Sequence, residues 1–227
     1  MSTALIVAER ADVLVGEGGA DTFRYLSAAE SSAATGADML FGFETGIDKI
    51  DLSALGTISL SLMREGGSTF LFAQSPSGDV LISSAYADIN GSDVLVGSGH
   101  GVYMVGDGTN NSLIGSSRND AILGGAGDDV IQPGLGGDAI FGGTGSDVFR
   151  FTSVDDSRAD SGVYDNIFDF QSGIDKIDLR ALRTGASDSF ASVSVPGATY
   201  VFAHFTTGDM TLILHGIPGI TSADVLF

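Results

Sequence analysis

The sequence predicts an all-β protein: a parallel β-roll of nonapeptide repeats merging into a β-sandwich, present as two homologous modules. Three observations predict it. Aspartate recurs at one phase of a nine-residue repeat, with an apolar residue two places later. Glycine supplies 33 of the 227 residues and crowds the positions just before those aspartates. Two long segments outside the nonapeptides also repeat each other.

The nonapeptides are clearest at 115–150, which reads GSSRNDAIL, GGAGDDVIQ, PGLGGDAIF, GGTGSDVFR. The sixth position holds Asp120, Asp129, Asp138 and Asp147, and the eighth holds Ile122, Ile131, Ile140 and Phe149. The phase continues backwards with decay, through Asn111 with Leu113 and Asp93 with Leu95. Unit 97–105 is degenerate, with Val102 where Asp is expected. Farther back the same phase holds Asp12 with Leu14 and Asp21 with Phe23. Forwards, Asp156 and Asp165 fall at the sixth positions of the next two windows and are candidates to close the last sites.

Each half of the repeat has a physical reading. Gly124, Gly125, Gly127, Gly134, Gly136, Gly142, Gly143 and Gly145 turn the chain, using φ angles closed to other residues. The residues after the aspartate form a short strand, and stacked strands bury its apolar residue in a line. The aspartates face their counterparts in stacked turns, where carboxylates repel unless a cation lies between them. Calcium accepts about six to eight oxygens and takes main-chain carbonyls as readily as carboxylates. The phased acids, Asn111 and the eight glycines are therefore the candidate calcium ligands. A flexible Gly/Asp linker has no need of a phased apolar position.

Composition narrows the function. There are 24 Asp against 5 Glu, and the formal charge is −19. Asp favours turns, whereas an acidic helical surface uses Glu freely. The charge argues against nucleic acid and anionic membranes as partners. No apolar run approaches the ~18 residues of a membrane span. Cysteine is absent. The apolar run at 4–8 is short and has no basic lead, so it reads as a strand and not as a secretory leader. His100, His204 and His215 have no zinc-site spacing. The acid pairs Asp128-Asp129 and Asp155-Asp156 are sequence neighbours, which seldom flank a sugar as glycosidase carboxylates must. Ser27 and Glu30 match a capping box, the start of a short helix.

The longer repeat aligns GADTFRY (19–25) with GSDVFRF (145–151) and FGFETGIDKIDLSAL (41–55) with FDFQSGIDKIDLRAL (168–182). It continues through FLFA (70–73) and YVFA (200–203), then SGDVLI (77–82) and TGDMTL (207–212), then DVLV (93–96) and DVLF (224–227). The expected modules are 1–96 and 97–227. The first opens on a short roll. The second has its roll at 97–150 and its sandwich, with a C-terminal secretion signal, at 151–227.

These residues resemble the C-terminal domain of serralysin-type (peptidase M10) metalloproteases, within the hemolysin-type RTX calcium-binding repeat proteins. Modules of alginate epimerases and some bacterial lipases are similar. The resemblance implies a calcium-loaded roll, Ca2+ as the bound ion, and export to the extracellular medium by type I (ABC transporter) machinery. That machinery reads an uncleaved C-terminal signal, for which the tail 224–227 has the acidic-then-apolar form. The zinc motif H-E-x-x-H is absent. Gly42 stands where the second copy has Asp169, and Ala29 and Glu30 stand near Asp155 and Asp156, so weaker calcium chemistry is expected in the first module. The expected function is a non-catalytic, secreted calcium-binding module that folds on calcium after type I secretion, with no nucleic-acid partner and no membrane insertion. The alternatives are the C-terminal export and stability part of a larger secreted hydrolase or epimerase, as a first module opening on only two nonapeptides would suit, and a module binding a polysaccharide or cell-surface ligand.

Overall fold

Short apolar–polar alternations bounded by glycine turns leave room only for short strands. A computed structural model describes residues 4–7, 11–31, 36–65, 67–76, 78–85, 87–96, 98–158 and 162–227. Among them every regular element is a strand or a short 3-10 turn. The chain divides into two compact units, Met1–Val105 and Gly106–Phe227.

The first unit contains β1 (Ala4–Ile6), β2 (Val13–Val15), β3 (Thr22–Arg24), β4 (Asp38–Phe41), β5 (Lys49–Asp51), β6 (Thr57–Glu65), β7 (Ser68–Ser75), β8 (Gly78–Ser84), β9 (Val94–Leu95) and β10 (Ser98–Val105). Strands β1-β3-β5-β9 form one wholly parallel sheet. The order β2-β4-β8-β7-β6-β10 forms the other, with an antiparallel meander through β8, β7 and β6. Strand β10 pairs in parallel with β6. Residues 98–105 of the degenerate nonapeptide are thus drawn out as a strand of the first unit, not as the opening turn of the second.

The second unit follows with β11 (Ser112–Ile114), β12 (Ala121–Ala126), β13 (Val130–Gln132), β14 (Ala139–Thr144), β15 (Val148–Arg150), β16 (Asp165–Ile167), β17 (Lys176–Asp178), β18 (Ser189–Val195), β19 (Ala198–Phe205), β20 (Gly208–His215) and β21 (Val225–Leu226). Its parallel sheet is β11-β13-β15-β17-β21. Its second sheet is β12-β14-β16-β20-β19-β18, parallel as far as β20 and then antiparallel. The roll therefore runs into the meander within one continuous sheet.

Consecutive nonapeptides alternate between the two sheets, so one full turn of the roll takes two of them. Parallel pairing then stacks each core residue on its counterpart. Leu113, Ile131, Phe149, Ile177 and Val225 form one line, and Ile122, Ile140, Ile167 and Leu214 form the other. Apart from Val225 at 6%, all are fully buried.

The shared DKIDL motif has a register role in both units. Lys49 Nζ lies 3.1 Å from Asp93 and Arg24 Nε lies 2.8 Å from Asp51. Lys176 lies 3.8 Å from Asp224 and Arg150 lies 3.3 Å from Asp178. The basic partners are partly exposed, so each pair contributes at most about 1 kcal/mol, and their effect is to fix which strand follows which. The segment at Ser27 is a turn and not a helix: Glu30 turns back to accept from the Leu26 N–H at 2.9 Å. In the second unit the matching segment does wind into a 3-10 turn, Val154–Ser157.

Truncating Ile131 to Ala removes a fully buried member of the core line. It should cost about 2–5 kcal/mol by chemical denaturation in calcium-containing buffer. Leu135→Ala, at a position 42% exposed, should stay within about 0.5 kcal/mol of the parent.

Candidate metal centre

The phased aspartates form two rows, one leading into each sheet of the second unit. In the first row the main-chain N–H of Asn111 donates to Asp129 Oδ1 at 2.7 Å, that of Asp129 to Asp147 Oδ1 at 2.9 Å, and that of Asp147 to Asp175 Oδ1 at 3.0 Å. The Gly173 N–H extends the row to Asp224 Oδ1 at 2.7 Å. In the second row Asp120 donates to Asp138 at 2.7 Å, and Asp138 to Asp165 at 2.8 Å. Except at Gly173, the carbonyl of each donor residue accepts from the residue just after its partner, as Asp129 O does from Val148 N at 2.8 Å. A carboxylate oxygen thus stands in for a main-chain carbonyl and carries the parallel ladder one step into the turn.

The other carboxylate oxygen is the informative one. Oδ2 of Asp129, Asp138, Asp147 and Asp165 is buried and has no hydrogen-bond partner. The residues are 0–1% exposed. An orphaned buried carboxylate oxygen is costly, by several kcal/mol unless it is neutralised or coordinated. Burial, and then the charges of Asp147, Asp107 and Asp128, push the Asp129 carboxyl up to about 6. Burial, and then Asp165, push Asp138 upward, and burial likewise raises Asp165 and Asp147.

Glycine makes the turns fit this spacing. A Cβ on Gly124 would collide with the Gly142 carbonyl and with Asp129 Oδ2. Gly125, at φ 107°, lies over the carbonyl of Asp107 in the turn stacked against it. The closely stacked turns therefore gather main-chain carbonyls beside the carboxylates. Among the described residues no three His, Asp or Glu side chains cluster as a ligand set, so the donor set is carboxylate plus carbonyl. All of it is oxygen, and that fits a hard divalent cation such as calcium.

Several residues lie differently from the sequence expectation. Asp156 is outside both rows: it caps the 3-10 turn, accepting from Thr152 and Ser153 N–H at 2.8 and 3.0 Å. The insertion between β15 and β16 carries Asp165, not Asp156, to the row position. Asn111 keeps the row through its N–H while its Oδ1 accepts from Asp107 at 2.8 Å. In the first unit Asp12 donates to Asp38 Oδ1 and Asp21 to Asp48 Oδ1, each at 2.8 Å, and Gly46 donates to Asp93 Oδ1 at 3.0 Å.

Four row members, Asp38, Asp48, Asp175 and Asp224, escaped the sequence reading: loop lengths take Asp38, Asp175 and Asp224 out of the nine-residue phase, and Asp48 keeps the phase, 27 residues after Asp21, with no intact nonapeptide around it. For Asp48 and Asp175 the signal was the near-equal separation in the two copies, 27 residues from Asp21 to Asp48 and 28 from Asp147 to Asp175. Asp169, which the sequence singled out only by its replacement with Gly42 in the first copy, takes the N–H groups of Gly142 and Gly143 on its two oxygens, each at 2.8 Å. A second ladder runs one residue earlier: Asn110 accepts from Asp128, Asp128 from Ser146 and Asn119 from Gly137. His204 pairs with Asp209 at 2.6 Å on the exposed β19–β20 hairpin, and His215 meets Asn166 at 2.9 Å. The side chain of His100 lies outside the described residues.

The model of the peptidase M10 serralysin C-terminal family matches residues 4–66 and 75–213. The chain belongs to that family, and its rolls are RTX-type calcium-binding repeats. No curated protein sequence matches it significantly. Among solved structures it is similar to the R3 subunit of the mannuronan C5-epimerase AlgE6 of Azotobacter vinelandii, at 30% identity over 55% of this chain and 77% of that one, with a TM-score of 0.47. The R2 subunit of the same enzyme gives 27% identity, 54% and 91% coverage and 0.43. The extracellular lipase LipA of Serratia marcescens gives 14% identity over the whole of this chain and 40% of that one, with 0.26.

The raised carboxyls set the sign of a pH effect in calcium-free buffer. The folded rows hold protons that an unfolded chain, with carboxyls near ~4, releases. That stabilising contribution is present at low pH and lost as pH rises through the raised values. Asp178, Asp188 and Asp224, whose carboxyls are held low by their hydrogen bonds and, at Asp178, by Arg180, oppose this only below about pH 4. Acidifying the calcium-free protein from about pH 7.5 to about pH 5 should therefore raise its far-UV β signal and its thermal midpoint by several degrees. Carboxylates in ordinary environments would show no such gain.

Proposed function

We propose that the chain is a non-catalytic calcium-binding module of a secreted protein, and that the roll of its second unit folds on calcium after type I export. The observation that carries this is the set of buried, unpartnered Oδ2 atoms on Asp129, Asp138, Asp147 and Asp165. The ligands would be these carboxylates with carbonyls of the glycine turns, Gly124, Gly125 and Gly127 through Gly142, Gly143 and Gly145. Bound there, calcium supplies positive charge between carboxylates that otherwise repel, and its oxygen shell is completed by carbonyls. The chain's own part is to hold the turns in register through Oδ1, to expose the carbonyls by glycine, and to bury the core lines that ordering brings together.

The magnitudes suit a compartment switch. At a dissociation constant near ~10⁻⁴ M, millimolar calcium contributes roughly 1.4 kcal/mol per site. Four sites contribute roughly 5–6 kcal/mol, comparable to the stability of a small domain. At sub-micromolar calcium the contribution is close to zero. The family is named for the C-terminal part of a peptidase, which favours a chain serving the export and stability of a larger secreted hydrolase. Strand β21, with Asp224 as its buried cap, would then be both the last strand of the roll and part of the export signal.

A calcium titration followed by circular dichroism tests the reading. The β signal should rise cooperatively near millimolar calcium. Asp129→Ala and Asp138→Ala should each move the midpoint upward by about tenfold, or about 1.4 kcal/mol. A β signal already complete in chelator would overturn it.

A further inference from the structure

Among the described residues, eight turns fall into two chemical classes, set by the residue four places before the row aspartate or asparagine; Asp93 and Asp224 are closed instead from three places before, by the N–H groups of Asn90 and Thr221. In five turns that residue bears a side chain, and its main-chain N–H donates to the carboxylate or amide oxygen. Glu17 donates to Asp21 at 3.0 Å, Glu44 to Asp48 at 2.8 Å, Asp107 to Asn111 at 2.8 Å, Ser116 to Asp120 at 2.5 Å and Gln171 to Asp175 at 2.7 Å. In three turns it is glycine at positive φ: Gly125 at 107°, Gly134 at 94° and Gly143 at 97°. These three are the turns of Asp129, Asp138 and Asp147, whose Oδ2 atoms are orphaned at 0–1% residue exposure. The backbone explains the division. At positive φ the N–H is turned away from the carboxylate, and that of Gly143 goes to Asp169 instead. A residue with a side chain avoids that φ, so its N–H stays on the carboxylate.

We propose that calcium is confined to the second unit, at Asp129, Asp138, Asp147 and Asp165, and that main-chain N–H groups stand in for the ion in the first unit, which folds without it. The proposal rests on the reading above that the ion of these turns is calcium. In the first unit Asp48 spends one oxygen on Asp21 N–H and the other on Glu44 N–H. Asp93 spends Oδ1 on Gly46 N–H and Lys49, and Oδ2 on Asn90 N–H at 3.1 Å. Neither keeps an oxygen for a metal. Asp38 is the exception, with Oδ2 outside any well-aligned hydrogen bond. It is faced by the buried hydroxyl of Tyr25, whose pKa is raised by burial and then by that carboxylate. The second unit has Phe151 at the matching position, so Asp165 has no phenol hydroxyl from that position. By the same rule Asp120 and Asp175, although they stand in the rows of the second unit, are hydrogen-bond caps.

The test uses the full chain and calcium itself, with bound ions counted by equilibrium dialysis and amide exchange read by mass spectrometry. Peptides across 39–55 should be protected equally in chelator and in millimolar calcium, while peptides across 121–150 should gain at least tenfold protection with calcium. Asp129→Asn and Asp147→Asn should each lower the ion count, whereas Asp21→Asn and Asp48→Asn should leave it unchanged while speeding exchange in the first unit. Should the second-unit variants fail to fold, the exchange pattern of the parent chain still decides. Calcium-dependent protection at 39–55, or an ion lost in Asp48→Asn, would overturn the confinement and leave calcium binding standing. An absence of any bound ion would overturn the underlying reading with it.

Discussion

The hydrogen bond from a main-chain N–H to the Oδ1 of an aspartate one full turn later governs this structure. In the regular roll that partner is 18 residues away, as from Asp129 to Asp147. Where a loop intervenes the distance grows, to 28 residues from Asp147 to Asp175, but the bond is the same. It fixes the register of turns that have no strand pairing of their own. It also explains the preference for Asp over Glu: one more methylene would carry the carboxylate past the N–H beneath it. Asn can end such a row, as Asn111 does, because its N–H is what the next carboxylate needs.

Committing Oδ1 leaves the fate of Oδ2 to the turn. A side-chain-bearing residue four places earlier, or three at Asp93 and Asp224, returns its N–H and closes the carboxylate. Glycine diverts the N–H and opens it. The same glycines let stacked turns approach until carbonyls and carboxylates crowd together, and a Cβ on Gly124 or Gly142 would strike the facing carboxylate. Local backbone conformation therefore decides where buried charge is left unpaired. Unpaired buried charge is the feature a hard cation can relieve.

Much of this was legible in the sequence, because nine-residue phase maps directly onto strands and core. Ile122, Ile131, Ile140 and Phe149 are fully buried as their phase requires, and Asp129, Asp138, Asp147 and Asp165 stand together in the rows. The stacking period was not legible: alternate units feed different sheets, so the neighbour of each aspartate lies two units away. Asp156 kept the phase and lost the row, because the segment after Phe151 folds into its own capped turn. Asp169, Asp175 and Asp224 lost the phase and joined the hydrogen-bond network of the turns, because strand pairing tolerates loops of any length between partners. Residues 98–105 became strand β10 because Val102 cannot accept an N–H as Asp does, while the alternating residues can pair along β6.

The most direct measurement is a crystal structure of the calcium-loaded protein, with the ions located by anomalous scattering. The account expects ions about 2.3–2.6 Å from Oδ2 of Asp129, Asp138, Asp147 and Asp165, with Oδ1 of each still holding the N–H of the turn beneath. Ions seated instead on Asp21 or Asp48, or a loaded roll in which the Oδ1 ladder is broken, would contradict it.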